Sequence, residues 1–136
     1  MSFAYPHINL IALLLAALAQ FVIGFLWYSQ MTPIGRMWMA EMDFGDREAQ
    51  PGAEMLIFPV SSIFVAWSTS MVIAWSGASG SAHGMLAAWV VALAVGMQTI
   101  ASGVASGKSS STLMAINVGY LVFGYGVMGA IIGGFA

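Results

Sequence analysis

Residues 24–39, GFLWYSQMTPIGRMWM, decide the fold of this chain, because here an uncharged apolar run ends and the first charged residue, Arg36, appears. The run before it, residues 8–28, carries no charged side chain and would form ~31 Å of helix, enough to cross the hydrocarbon core of a bilayer. Trp27 and Tyr28 have amphipathic rings of the kind that favours the boundary between hydrocarbon and water. The stretch therefore predicts a transmembrane helix that leaves the membrane near Tyr28.

The composition excludes a soluble domain. Of the 136 residues, 60% are apolar and only 6% are charged, whereas an average soluble domain has about 25% charged residues. There is no cysteine, which excludes disulfides and thiolate metal sites, and the net charge of -2 gives no nucleic-acid footprint. We expect the first apolar run to be retained as a span, because no basic stretch precedes it and no cleavage site of the signal-peptide kind follows it.

Four apolar runs approach the ~20 residues that a membrane span requires. Each must be helical in lipid, because every backbone polar group there needs an internal partner. The predicted spans are about 8–28, 55–75, 84–105 and 112–135. The predicted fold is all-α: a single integral membrane domain over residues 1–136, built as a bundle of four transmembrane helices with a short interfacial segment between helices 1 and 2.

The long connector, residues 31–54, carries most of the charges. Its methionines and Trp38 predict a short helix lying in the interface with its apolar side down. A turn is predicted at 43–46 and a break at Pro51-Gly52. The residues that we group as an interfacial motif are Trp27, Tyr28, Gly35, Arg36 and Trp38.

The basic residues predict the orientation. Four spans place Arg36, Arg47 and Lys108, which are all the basic side chains of the chain, on one side of the membrane. The positive-inside rule assigns that side to the cytoplasm. Both termini are then predicted to face outward, with residues 31–54 as a cytoplasmic loop.

The fourth apolar run is rich in glycine. Gly119, Gly126 and Gly133 repeat at seven residues, and Gly129 and Gly133 form a small-xxx-small pair. Helices in lipid associate through close backbone contact at such small residues. This span is therefore predicted to be central to helix packing, either within the chain or between copies.

Few residues suggest catalytic chemistry. No aspartate, glutamate, lysine, arginine or histidine lies inside a predicted span, which argues against a proton-driven exporter. Residues 103–109, GVASGKS, have one residue too few for a phosphate-binding loop and follow a span, so we interpret them as a polar turn. His7 and His83 lie at span ends, where a shared metal or haem is the alternative to plain interfacial histidines. We expect no bound cofactor and no enzymatic activity.

Neutral polar side chains gather at one depth. Counted from the span ends, they lie roughly 8–12 Å below the inner surface. These side chains can form hydrogen bonds between helices, worth about 0.6 kcal/mol each, or they can line a small polar pocket open to the cytoplasm. We expect the two glutamines, the asparagine and the tyrosine to point into the bundle, with the asparagine as the hub. The residues of this polar layer are Gln20, Ser61, Ser62, Gln98, Asn117 and Tyr120.

Two blocks carry a family resemblance. Residues 24–39 are similar to a Gly-x-Leu-Trp-Tyr-Ser-Pro block, and residues 116–135, INVGYLVFGYGVMGAIIGGF, to an Ile-Asn-x-Gly-Tyr block with a glycine-rich ending. Both blocks resemble those of the small bacterial membrane proteins grouped as domain of unknown function 1761. The resemblance implies a four-helix bacterial membrane protein and no established activity.

Two functions remain open at this point. The first is a structural or interaction protein that self-associates or serves as an accessory subunit of a larger membrane complex in the bacterial inner membrane, with lipids as its other partners. The second is a channel or carrier for a small neutral solute that uses the polar layer. Whether a pocket reaches Gln98 and Asn117 separates the two.

Overall fold

The chain is all-helical where the structure is described. A computed structural model describes residues 6–42 and 56–136, and these two ranges contain no strand. The predicted turn at 43–46 and the break at Pro51-Gly52 lie outside the described residues. The helices are α1 (Leu10–Trp27), α2 (Pro33–Met42), α3 (Ile57–Ser76), α4 (Ser81–Ala105) and α5 (Ser111–Gly134). The predicted fold class is confirmed.

Four of these helices are long and apolar enough to cross a membrane. Helices α1, α3, α4 and α5 have 18, 20, 25 and 24 residues, and α2 is the short helix between the first two spans. The chain is therefore a multi-pass membrane protein. Helix α4 begins at Ser81, three residues before the predicted start. Hydropathy marks only the apolar part of a span, and the helix continues into the interface through Ser81, Ala82 and His83.

The buried core lies between α1, α3 and α5. Ala16 and Ala66 are fully buried, and such small side chains let neighbouring helices approach closely. Ile73 and Met128 are the largest fully buried side chains and fill the remaining space. The outer surfaces of the helices are apolar as well, with Leu14 and Phe64 among the exposed residues. A bundle in contact with lipid requires such a surface.

Helices α4 and α5 touch through their backbones. A side chain at Gly84 would collide with the backbone of Gly129 and Gly133, and one at Gly129 would collide with the carbonyl oxygen of Gly84. Just before α4, the backbone N–H of Gly80 donates to the carbonyl oxygen of Gly133 at 2.8 Å. Gly129 and Gly133 thus form the contact surface of α5 for α4, and Gly84 is the residue that faces them.

Gly119 and Gly126, the first two glycines of the seven-residue repeat, leave space for tryptophan rings. A Cβ at Gly126 would lie 2.7 Å from Nε1 of Trp89 on α4, and one at Gly119 would lie 2.9 Å from the ring of Trp27. The indole of Trp89 donates to the carbonyl oxygen of Val122 at 2.7 Å. The repeat therefore serves two neighbours, with Gly119 facing α1 and Gly126 and Gly133 facing α4.

The segment GVASGKS forms the end of α4. Gly107 adopts a left-handed conformation with φ 72°. The backbone N–H of Lys108 donates to the carbonyl oxygen of Gly103, and that of Gly107 to Val104. This pair of bonds is a Schellman motif, in which glycine ends a helix at no steric cost. The glycine therefore terminates the helix, in agreement with the interpretation as a turn.

Candidate functional site: a polar and aromatic cluster between α1 and α5

Tyr28 and Asn117 join α1 to α5. The hydroxyl of Tyr28, the residue that follows α1, donates to Oδ1 of Asn117 at 2.8 Å. Asn117 lies in the second turn of α5, so the bond lies toward the end of the bundle at which α2 and Lys108 are found. Asn117, predicted as the hub of the polar layer, thus accepts from a residue outside that layer, Tyr28.

Three further aromatic rings form a chain of contacts with the Tyr28 ring. The Tyr28 ring meets Trp38 of α2 edge-on, with centroids 5.0 Å apart, and Tyr120 of α5 at 5.4 Å. Tyr120 in turn meets Tyr125 at 6.4 Å. Such edge-to-face pairs contribute about 0.5–1.5 kcal/mol beyond the area that they bury. The cluster thus holds α2 against the ends of α1 and α5.

Gln20 forms the inner end of the cluster. Its side chain, on α1, is only 3% exposed, and its amide interacts with the hydroxyl groups of Tyr120 and Tyr125. Its Oε1 is buried without a hydrogen-bond partner. Rotating the amide by half a turn would exchange the two amide atoms and leave the nitrogen unpaired instead. A buried polar atom without a partner costs about 1–3 kcal/mol, so Gln20 is the least satisfied group that we find in the described cluster.

Trp27 fixes the relative height of α1 and α5. Its indole N–H donates to the carbonyl oxygen of Ile116 at 3.0 Å, and its ring stacks on Phe123 with centroids 6.0 Å apart. Gly119 leaves the space that the indole occupies. Trp27, predicted as an interfacial anchor, is therefore also a contact between two spans.

The start of α2 follows from its sequence, TPIG. The hydroxyl of Thr32 accepts from the backbone N–H of Gly35 at 3.1 Å, as a helix N-cap does, and Pro33 occupies the first helical position, where its missing N–H is not needed. The same hydroxyl donates to the carbonyl oxygen of Leu26 at 2.6 Å. A side chain at Gly35 would collide with the backbone of Ser29. Glycine at this position thus allows the tight turn between α1 and α2.

Other contacts hold α2 in place. The guanidinium of Arg36 reaches the carbonyl oxygen of Gln30 at 3.4 Å. The hydroxyl of Ser110, the N-cap of α5, accepts from the backbone N–H of Leu113 and donates to the carboxylate of Glu41. A carboxylate near a helix N-terminus also interacts favourably with the helix dipole. Helix α2 is therefore joined to the start of α5 through Glu41, in addition to the contact of Trp38 with Tyr28 at the end of α1.

Three residues of the predicted layer do not join this cluster. Gln98 is exposed on α4 rather than turned into the bundle, so the expectation for its direction is wrong. Ser61 is exposed as well, and its hydroxyl donates to Phe58 on its own helix at 2.9 Å. Ser62 is buried on α3. Residue counting predicted the depth of these side chains, whereas their direction depends on how each helix is rotated about its axis.

Other members of the cluster escaped the sequence-based reasoning. Tyr125 lies five residues after Tyr120, which places the two on different faces of an isolated helix, so no spacing links them. The available signal was its hydroxyl, because a mid-span polar group needs a partner. Glu41 gave no signal, since its partner Ser110 is 69 residues away in the chain.

The histidines lie apart from the cluster. His7 lines a groove of about 570 Å³ at the opposite end of the bundle, formed by the ends of α1, α3 and α5. A ring nitrogen of His83 lies 2.8 Å from the carbonyl oxygen of Ser79. Over the residues that the structure describes, no three histidine, aspartate or glutamate side chains come together as metal ligands.

Comparison with known proteins identifies the family. No curated protein and no solved structure matches the chain. The family model described as "Protein of unknown function (DUF1761)" matches residues 11–133. This range includes helices α2, α3 and α4, all but one residue of α1 and of α5, and the whole cluster around Gln20 and Asn117. The chain therefore belongs to the DUF1761 family.

Proposed function

We propose that this protein is a non-catalytic structural protein of the bacterial cytoplasmic membrane, which self-associates or serves as an accessory subunit of a larger membrane complex. The supporting observation is the position of α4. Only 17% of its most apolar stretch is buried, against 28–33% for the same stretch of the other three spans. Helix α4 packs mainly on α5, and most of its surface is open to lipid or to a partner.

Counting subunits in bilayers tests this function. The chain is labelled at one engineered cysteine. The labelling site is unambiguous because the natural chain contains no cysteine. It is then reconstituted at low density, and photobleaching steps are counted for each particle. Two or more steps support self-association. Single steps at every protein-to-lipid ratio, together with purification from native membranes without any companion subunit, would exclude both forms of the proposal.

The proposed orientation places Arg36 and Lys108 in the cytoplasm and both termini outside. The support is the position of α2 and the α4–α5 turn at the same end of the bundle, where Glu41 meets Ser110. A periplasmic reporter fused after Ala136 should be active and a cytoplasmic reporter inactive. The reverse pattern would exclude this orientation.

A second candidate function is a carrier for a small neutral solute, and Gln20 is the observation that favours it. An acceptor that is buried and unpaired can bind the donor group of a passing solute. Proteoliposomes can be tested with urea and glycerol as probes, by light scattering after an osmotic step. Faster solute entry than in empty vesicles, which Gln20→Leu abolishes without changing the oligomeric state, supports the carrier. Equal entry rates with and without protein exclude it for these solutes.

A further inference from the structure

Gln98 is a polar side chain on the outside of a membrane span. It is exposed on α4, and its amide has no hydrogen-bond partner among the described residues. Seven residues separate it from the end of α4 at Ala105, a distance of about 10 Å. Helix α4 is about 37 Å long and exceeds the hydrocarbon core by only a few ångström at each end. The Gln98 amide therefore lies within hydrocarbon.

The neighbouring hydroxyl groups of α4 have hydrogen-bond partners, unlike the Gln98 amide. The hydroxyl of Thr99 donates to the carbonyl oxygen of Val95 at 3.3 Å, and that of Ser102 to Thr99 at 2.9 Å. Short hydroxyl side chains can bond to the backbone of their own helix in this way. The amide of Gln98 instead remains open on the surface, and an unpaired amide in hydrocarbon is costly.

The surroundings of Gln98 suit a close helix contact. On α4 the residues one turn before and one turn after it are Ala94, Val95, Ala101 and Ser102, and all four are exposed. Three of them are small, which lets two helix backbones approach in lipid. Gln98 thus lies at the centre of an uncovered face, which we name the α4 seam (Ala94, Val95, Gln98, Ala101 and Ser102).

We propose that the α4 seam is the contact surface for a second copy of this chain, with the two Gln98 side chains bonded to each other across a twofold axis. A primary amide carries both donors and an acceptor, so two identical amides can satisfy one another. In an isologous interface the same patch serves both partners. The seam carries no charge, which favours an equally uncharged partner surface. This inference rests on the proposed self-association and specifies its geometry.

Cysteine crosslinking tests the seam. Ala101→Cys is placed in the otherwise cysteine-free chain, reconstituted in liposomes and oxidised. The matched control is Val60→Cys on α3, which is also exposed and lies at a similar distance from the end of its helix. A disulfide requires Cα atoms within about 7 Å, so we expect a dimer of twice the 14.3 kDa chain mass for Ala101→Cys and none for Val60→Cys.

A second variant tests the amide itself. Gln98→Leu keeps the size of the side chain but removes its hydrogen bonds, and it should weaken dimerisation by about tenfold. Its helix content and the thermal unfolding of its monomer should remain unchanged, because Gln98 is exposed and has no hydrogen-bond partner among the described residues. Gln98→Asn, which keeps the amide, should weaken the dimer less than Gln98→Leu.

The outcomes separate the seam from the proposed function. A chain that self-associates without crosslinking at Ala101, or whose dimer is unaffected by Gln98→Leu, would overturn the seam and leave self-association standing. An adduct of another mass in native membranes would mean that a different protein covers this face, and this result would also overturn the proposed contact between two copies. A chain that is monomeric throughout would overturn both self-association and the seam.

Discussion

Replacing Gly129 by alanine tests the backbone contact between α4 and α5. The added methyl would meet the carbonyl oxygen of Gly84 and lie 2.5 Å from Cβ of Ala88, whereas carbon atoms touch at about 3.5–4.0 Å. Both neighbours belong to the first half of α4, so neither can turn away alone. Helix α4 must therefore move outward by about 1 Å to admit the methyl.

The expected cost follows from three contributions. Overpacking of this kind costs about 1–3 kcal/mol. The separation also weakens the bond between the Gly80 N–H and the Gly133 carbonyl oxygen, worth about 1 kcal/mol. The higher helix propensity of alanine offsets about 1 kcal/mol. We expect Gly129→Ala to lower the free energy of unfolding by about 2 kcal/mol.

Gly103→Ala is the matched control on α4. A methyl there meets nothing closer than Cβ of Ser109 at 3.5 Å, which is an ordinary contact, so only the propensity gain of up to about 1 kcal/mol remains. The assay is unfolding in mixed micelles with increasing dodecyl sulfate, followed by the fluorescence of the five tryptophans. Equal free energies of unfolding for the two variants would refute the close contact.

Three further substitutions test the cluster and the turn between α1 and α2. Tyr28→Phe should lower the free energy of unfolding by about 1 kcal/mol, because it deletes the hydroxyl that donates to Asn117; additive losses in a double-mutant cycle with Asn117→Leu would contradict the bond. Gln20→Leu should change the free energy of unfolding by less than about 1 kcal/mol, because removing the unpaired Oε1 offsets the lost contacts with the tyrosine hydroxyls. A larger loss would mean that the amide is fully satisfied. Gly35→Ala should push the start of α2 away from Ser29 and speed limited proteolysis after α2, whereas an unchanged cleavage rate would reject this role for the glycine.

The sequence alone determined the class and the topology of the protein. Lipid offers no hydrogen bonds to the backbone, so each long uncharged run had to be a helix, and its length had to match the hydrocarbon core. Local chemistry also explains two helix ends. The Thr32-Pro33 start of α2 and the glycine end of α4 at Gly107 follow rules that involve only a few neighbouring residues. The two sequence blocks also indicated the family that the match over residues 11–133 confirms.

Only the tertiary structure decided which side chains meet. The position of a residue along the chain predicts its depth in the membrane, and in this respect Gln20, Gln98 and Asn117 are alike. Their directions differ because each helix is apolar on every side and carries no stripe that would indicate its rotation. That rotation is set by the closest contacts, such as Gly84 against Gly129. These contacts turn Gln20 toward two tyrosines and leave Gln98 on the surface, because a helix takes the orientation in which its small residues let the backbones touch.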